Sequence, residues 1–171
     1  AYLRGRGQNG LRRKTIAIGP DALKALTTGL NNIAIGGNSQ ALTTGLCNVA
    51  IGDNALNVAT TTCLNVAIGH SALGNADTTG ITNIAIGHNT MDALTTGICN
   101  IAMGHNALGA ATTGCLNVAI GAGSMAGVVT GIDNIALGTS VMDALTTGAC
   151  NIAMGLNALG AATTGCMNIA I

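Results

Sequence analysis

Residues 100–108 read Asn-Ile-Ala-Met-Gly-His-Asn-Ala-Leu, and Thr112-Thr113-Gly114 follow them. The first five residues are one copy of a pentad, Asn-(Ile/Val)-Ala-(Ile/Met/Leu)-Gly. Complete pentads begin at Asn32, Asn48, Asn65, Asn83, Asn100, Asn117, Asn134 and Asn151. A variant with Thr15 in the Asn place precedes them, and Asn168 begins a last pentad without its Gly. Successive starts lie 16 to 18 residues apart, usually 17, so the chain contains nine complete repeats and part of a tenth.

The alternation Ile-Ala-Ile has a period of two and predicts a short strand in each repeat. The Gly that follows ends this strand, the Asn-Ala-Leu stretch predicts a second short strand, and Thr-Thr-Gly predicts a corner. A repeat of about 17 residues is too short for the helix pairs of other repeat proteins. Residues 15–171 are therefore predicted to form an all-β, parallel β-solenoid of nine coils that ends in an incomplete coil. Coils stacked about 4.8 Å apart give a rod about 43 Å long.

The composition agrees with a thin, repetitive fold. Only 7% of the 171 residues are charged and 49% are apolar, with one Tyr and neither Phe nor Trp. This apolar content argues against disorder, and the lack of aromatic side chains argues against a conventional globular core. Asn, Thr or Asp interrupts every apolar run before the roughly 20 residues that a membrane span needs. No signal peptide is evident at the N-terminus. Membrane insertion is therefore not expected.

Stacked coils place identical residues in columns, and one column consists of Asn. We expect its side chains to hydrogen-bond to one another along the rod. The members of this predicted ladder are Asn32, Asn48, Asn65, Asn83, Asn100, Asn117, Asn134, Asn151 and Asn168. In each pentad the two Ile-type side chains point to one face and Ala to the other. If the Ile face fills the coil, Ala lies on a smooth outer strip, and we expect that strip to pack around a three-fold axis.

Six cysteines form three pairs with a separation of 16 residues. In each pair the first Cys lies one place before an Asn of the ladder, and the second lies two places before the next Asn. The pairs are Cys47 with Cys63, Cys99 with Cys115, and Cys150 with Cys166. We expect disulfides between adjacent coils or between chains, since one coil is within the Cα separation that a disulfide needs. Buried free thiols are the alternative, and zinc is disfavoured because no C-x-x-C spacing is present.

His70, His88 and His105 each follow the Gly of the pentad in three consecutive repeats, so they are expected to stack in one column. Imidazole is a common metal ligand, which makes this column a candidate metal site. The same place is occupied by Gly37, Asp53 and Ala122 in other repeats, which favours a solvated corner. No cofactor is expected from any other residue pattern.

The charges are unevenly distributed although the net charge is zero. Residues 1–14 carry five positive side chains and are interpreted as a basic N-terminal arm or linker. The remaining residues carry Lys24 against six Asp, which is a net charge of −5 (1 − 6). A short basic arm can bind nucleic acid, but with one Tyr it offers no stacking platform for bases. No nucleic-acid partner is expected.

The motif Asn100–Leu108, followed by Thr112-Thr113-Gly114, resembles the head repeats of trimeric autotransporter adhesins of the YadA type. It resembles still more the longer version of that repeat in bacteriophage tail fibres and related viral fibres. The resemblance covers residues 15–171. It implies a homotrimeric, left-handed parallel β-roll in the shaft or head of an extracellular fibre, on a virion tail or a cell surface. Other fibre or virion proteins are the implied partners.

The residue types favour a structural role over catalysis. There is no Glu, no phosphate loop and no Ser elbow, so an enzyme is not expected. The coils also lack the aromatic and Arg residues that dominate binding surfaces, so receptor contact is expected only through a tip that other residues supply. Two alternatives remain open. One is a head-to-tail extracellular filament, and the other is an ice-binding solenoid, in which at most one Thr of each Thr-Thr pair would face outwards.

Overall fold

The computed structural model of the chain describes residues 15–40, 44–127 and 129–171. The predicted basic arm, residues 1–14, lies outside the described residues. Each repeat contributes one short strand at its Ile-Ala-Ile segment. The strands are β1 Ile16–Ile18, β2 Ile33–Ile35, β3 Val49–Ile51, β4 Val66–Ile68, β5 Ile84–Ile86, β6 Ile101–Met103, β7 Val118–Ile120, β8 Ile135–Leu137, β9 Ile152–Met154 and β10 Ile169–Ala170.

The ten strands form one parallel sheet in sequence order, from β1 to β10. Each strand pairs with the next in the register of the repeat, so that Ile101 pairs with Val118 and Ala102 with Ala119. Parallel neighbours in sequence order require the backbone to complete one lap between strands. The prediction of an all-β solenoid with about nine coils of about 17 residues is confirmed.

The Asn-Ala-Leu stretch is not the second strand that the sequence predicted. Its first and third residues have left-handed backbone angles, with φ +56° at Asn106 and +50° at Leu108. Such angles break the pleat of a strand. The Asn106 N–H donates to His88 O of the preceding coil at 2.9 Å, and the Leu108 N–H donates to Ser124 O of the following coil at 3.0 Å. The stretch is a turn that stacks on the same turn in neighbouring coils.

The Ile face of each strand points outwards and Ala points inwards, which reverses the orientation considered from the sequence. Ala102 and Ala119 are fully buried, whereas Ile101 is 37% exposed. The cause is the thickness of the coil. A column of large buried side chains, such as Leu108 and Met125, already fills the interior, and only Ala fits between it and the sheet. A trimer contact formed by an outer Ala strip is therefore wrong.

From β1 to β8, the Gly that ends the strand has a positive φ and lies against the backbone of the next coil, the two conditions that favour Gly over every other residue. At Gly104 φ is +131°, a backbone conformation that side-chain-bearing residues rarely adopt. A Cβ atom added there would lie 2.7 Å from the carbonyl oxygen of Gly121 in the next coil. The strand-ending corner is consequently a place where successive backbones touch.

Candidate functional site

The most extended surface feature is the outward side of the sheet, which we call the aliphatic face. It consists of the first and third residues of β1 to β9, and all eighteen are Ile, Val, Leu or Met. All eighteen side chains are at least partly exposed, and Ile18 is the most exposed at 46%. Because the strands are in register, these side chains form two unbroken columns along the described coils, without a charged or polar member.

Two more columns precede the Asn ladder, and we call each set of two adjacent residues a corner pair. Seven aliphatic members of these pairs are exposed: Leu46, Leu64, Ile81, Ile98, Leu116, Ile132 and Met167. The second residue of each pair has a left-handed backbone, as at Leu116 with φ +59°. Its N–H donates to the first residue of the preceding pair, as Leu116 does to Ile98 O at 3.1 Å. Exposed aliphatic side chains therefore extend beyond the strands at this edge.

The six cysteines belong to the corner pairs and are free thiols in the structure. Cys47, Cys99, Cys150 and Cys166 are exposed, and Cys63 and Cys115 are partly exposed. The predicted disulfides between adjacent coils are not formed. In each pair the thiol of the second Cys donates to the carbonyl of the Thr two residues before it, as Cys115 Sγ does to Thr113 O at 3.3 Å. The first Cys is the second residue of its corner pair, whereas its partner is the first residue of the next. The two thiols thus belong to neighbouring columns. The backbone is left-handed only at the first Cys of each pair, with φ +56° at Cys47. A bridge between chains stays a prediction.

The Asn ladder lies inside the coil. Its members from Asn32 to Asn151 are buried. The Asn117 side-chain amide donates to Asn100 Oδ1 at 3.2 Å and to Gly131 O at 2.8 Å. Amide groups are linked in this way from Asn83 to Asn100 and onward to Asn168. At Asn65 the amide donates instead to the hydroxyl of Thr62, the residue that replaces Gly in that repeat. The ladder is thus a structural element and not a ligand site.

The three histidines stack as predicted. The ring centroids of His70 and His88 are 5.1 Å apart, and those of His88 and His105 are 5.2 Å apart. All three side chains are exposed. Within the described part of the chain, no group of three or more His, Cys, Asp or Glu side chains is arranged to hold a metal ion.

The second Thr of each Thr-Thr-Gly corner is exposed, as at Thr96, Thr113 and Thr147. The first Thr is half-buried at Thr95, Thr112 and Thr146, and the hydroxyls of Thr95 and Thr146 donate to carbonyl oxygens of the next coil. Thr95 Oγ1, for example, donates to Thr112 O at 2.9 Å. In these middle coils one Thr of each pair faces outwards, as expected, which produces a single exposed Thr column there. Near the two ends both residues are exposed, at Thr27-Thr28 and Thr163-Thr164.

Sequence reasoning missed the aliphatic face, although a signal for it was available. The large residue eight places after each Asn, Leu or Met in most repeats, already supplies one interior side chain per coil. A thin coil has no space for two further Ile columns, so the invariant Ala marks the inward side.

Among the described residues no helix is long and apolar enough to cross a membrane.

No protein-family model, curated protein or solved structure matches this chain.

Proposed function

We propose that this chain is a stiff structural shaft of an extracellular fibre, such as a virus or phage tail fibre, assembled as a homotrimer through its aliphatic face. In this role it acts as a spacer that projects a receptor-binding tip. The observation that carries the proposal is the pair of aliphatic columns exposed along nine successive strands.

The size of this face supports an assembled state. Eighteen side chains at the observed exposures leave on the order of 1,000 Å² of apolar surface per chain, similar to one partner's share of a standard protein interface. Monomeric soluble proteins rarely expose contiguous apolar patches larger than a few hundred Å². The size of the face thus supports a partner that covers it in solution.

The shape of the face favours a second copy as that partner. It is long, narrow and uncharged, and it repeats with the spacing of the coils, about 4.8 Å. A complementary surface needs the same length and the same lack of charge, which this chain itself provides. The resemblance to trimeric fibre repeats supports three copies around a common axis. Side-chain contacts that repeat in every coil would make the assembly stiff.

The oligomeric state tests the proposal directly. Sedimentation equilibrium of the reduced protein is expected to give three times the mass of one chain. Ile101→Lys places a charge in the middle of the face and is expected to dissociate the assembly. Thr96→Lys, at another exposed position on the Thr column, is the matched control and should leave the mass unchanged. A wild-type chain that remains monomeric at high concentration would refute the proposal.

The filament and ice-binding alternatives predict different measurements. A head-to-tail filament gives particles whose length grows with protein concentration, whereas a closed trimer has a fixed mass. An ice-binding solenoid gives thermal hysteresis in the purified protein. The single exposed Thr column supports ice binding less well than two parallel columns would. If the wild-type protein nevertheless shows clear thermal hysteresis and Thr96→Lys abolishes it, the ice-binding function replaces the proposal of a fibre shaft.

A further inference from the structure

The three stacked histidines, which we call the His column, combine three features that a solvated corner without a function does not need. His70, His88 and His105 occupy the same place in three consecutive coils, and all three rings are exposed. The rings stack at centroid separations of 5.1 and 5.2 Å. Their backbones are held by inter-coil hydrogen bonds, such as the 2.9 Å bond from the Asn106 N–H to His88 O. The stacking distance is thereby set by the coil repeat.

We propose that this column binds a divalent transition-metal ion, Cu²⁺ or Ni²⁺, between two imidazoles of adjacent coils. Imidazole nitrogen is a preferred ligand of both ions. Rings about 5 Å apart can turn one nitrogen each towards a shared ion at ordinary metal–nitrogen distances of about 2 Å. No hydrogen bond from a described residue occupies the ring nitrogens, so they are available. Water completes the coordination, because no third protein ligand converges there among the described residues.

The geometry limits the site to one ion per chain. Among the residues that the structure describes, His88 alone has a neighbouring ring on both sides. His70 and His105 are two coils apart, about 10 Å, which is too far for one ion to bridge. The column continues with Asp53 in the coil before His70 and with Ala122 in the coil after His105. Two overlapping pairs that share His88 therefore compete for a single ion.

This arrangement predicts an unequal response to single substitutions. The thiols are first blocked with iodoacetamide, since the exposed cysteines also bind soft metals. Ni²⁺ and Cu²⁺ are then titrated calorimetrically into the intact chain. His88→Ala removes both pairs and is expected to weaken Cu²⁺ binding by about tenfold or more. His70→Ala and His105→Ala each leave one pair intact and should each reduce affinity by no more than about threefold.

Circular dichroism confirms that the three variants remain folded, which is expected because the rings are exposed. Electron paramagnetic resonance of the Cu²⁺ complex should show coordination by two nitrogens in the wild type and fewer in His88→Ala. Equal losses in all three variants would overturn the proposal, and so would an unchanged affinity in His88→Ala. Neither result depends on whether the chain forms a fibre shaft, because oligomeric state is measured separately.

Discussion

The side chain of Asn117 makes four hydrogen bonds inside the coil. Its amide donates to Asn100 Oδ1 and Gly131 O, and its oxygen accepts from the backbone and the side-chain nitrogens of Asn134 at 3.1 and 3.0 Å. One residue therefore satisfies polar groups of the coils on both sides. Because the interior of the coil holds few large apolar side chains, such buried bonds carry much of the specificity for the stacked register.

Asn117→Ala is expected to lower the free energy of unfolding by about 3 kcal/mol, because it leaves buried partners without a hydrogen bond. Asn75→Ala is the control. Asn75 is exposed and its amide bonds to Asp92 Oδ2 at 2.9 Å, so a loss below about 1 kcal/mol is expected. Denaturant unfolding monitored by circular dichroism measures both values. Similar losses in the two variants would show that the ladder does not stabilise the coil as described.

The strand-ending glycines allow backbone strain to be separated from close contact. Gly104 and Gly155 both have positive φ, +131° and +109°. A Cβ on Gly104 would meet the next coil, whereas a Cβ on Gly155 would meet nothing within 4 Å. Gly104→Ala is therefore expected to cost about 2 kcal/mol more than Gly155→Ala. Thermal melting of the two variants measures the difference, and a larger loss at Gly155 would contradict it.

At the level of the elements, the sequence predicted the strands well and the segments between them less well. The Ile-Ala-Ile alternation located every strand, because a period of two is a local signal. The orientation of the strand was not local: it depended on the column of Leu108 and Met125, which occupies the interior from another part of the coil. The turn at Asn106 was missed for a similar reason. A left-handed Leu108 is unfavourable by itself, and only inter-coil hydrogen bonds make it stable.

Overpacking tests the inward orientation of Ala. Ala119→Val adds two methyl groups to a fully buried position and is expected to cost about 2 kcal/mol. Val118→Ile adds one methyl group to the neighbouring, partly exposed position and should change stability by less than about 0.5 kcal/mol. Chemical denaturation of both variants measures these changes. The reverse order would mean that Ile and Val, not Ala, face the interior.

At the level of the whole molecule, strand contacts connect only successive coils. Stability is then a sum over neighbouring interfaces. Removal of residues 83–133, which number 51 (134 − 83), joins Thr82 to Asn134 and keeps the repeat in phase. The shortened chain is expected to fold and, by small-angle X-ray scattering, to be about 14 Å shorter.

The control is a shorter deletion that we expect to destabilise the chain more. Removal of residues 101–108 leaves a segment too short to complete a lap and removes β6 from the middle of the sheet. We expect a lower melting temperature for this variant than for the 51-residue deletion. The opposite ranking would show that distant coils cooperate in ways that the neighbour contacts do not reveal.

Left-handed backbone angles recur three times in almost every coil, as at Asn106, Leu108 and Leu116. An isolated chain adopts such angles reluctantly, so the first coil is costly to nucleate. Once one coil exists, its free edge supplies the hydrogen bonds that hold the next chain segment in the same angles. Folding should therefore begin slowly and then propagate quickly by templating, and a preformed seed of a few coils should shorten the lag.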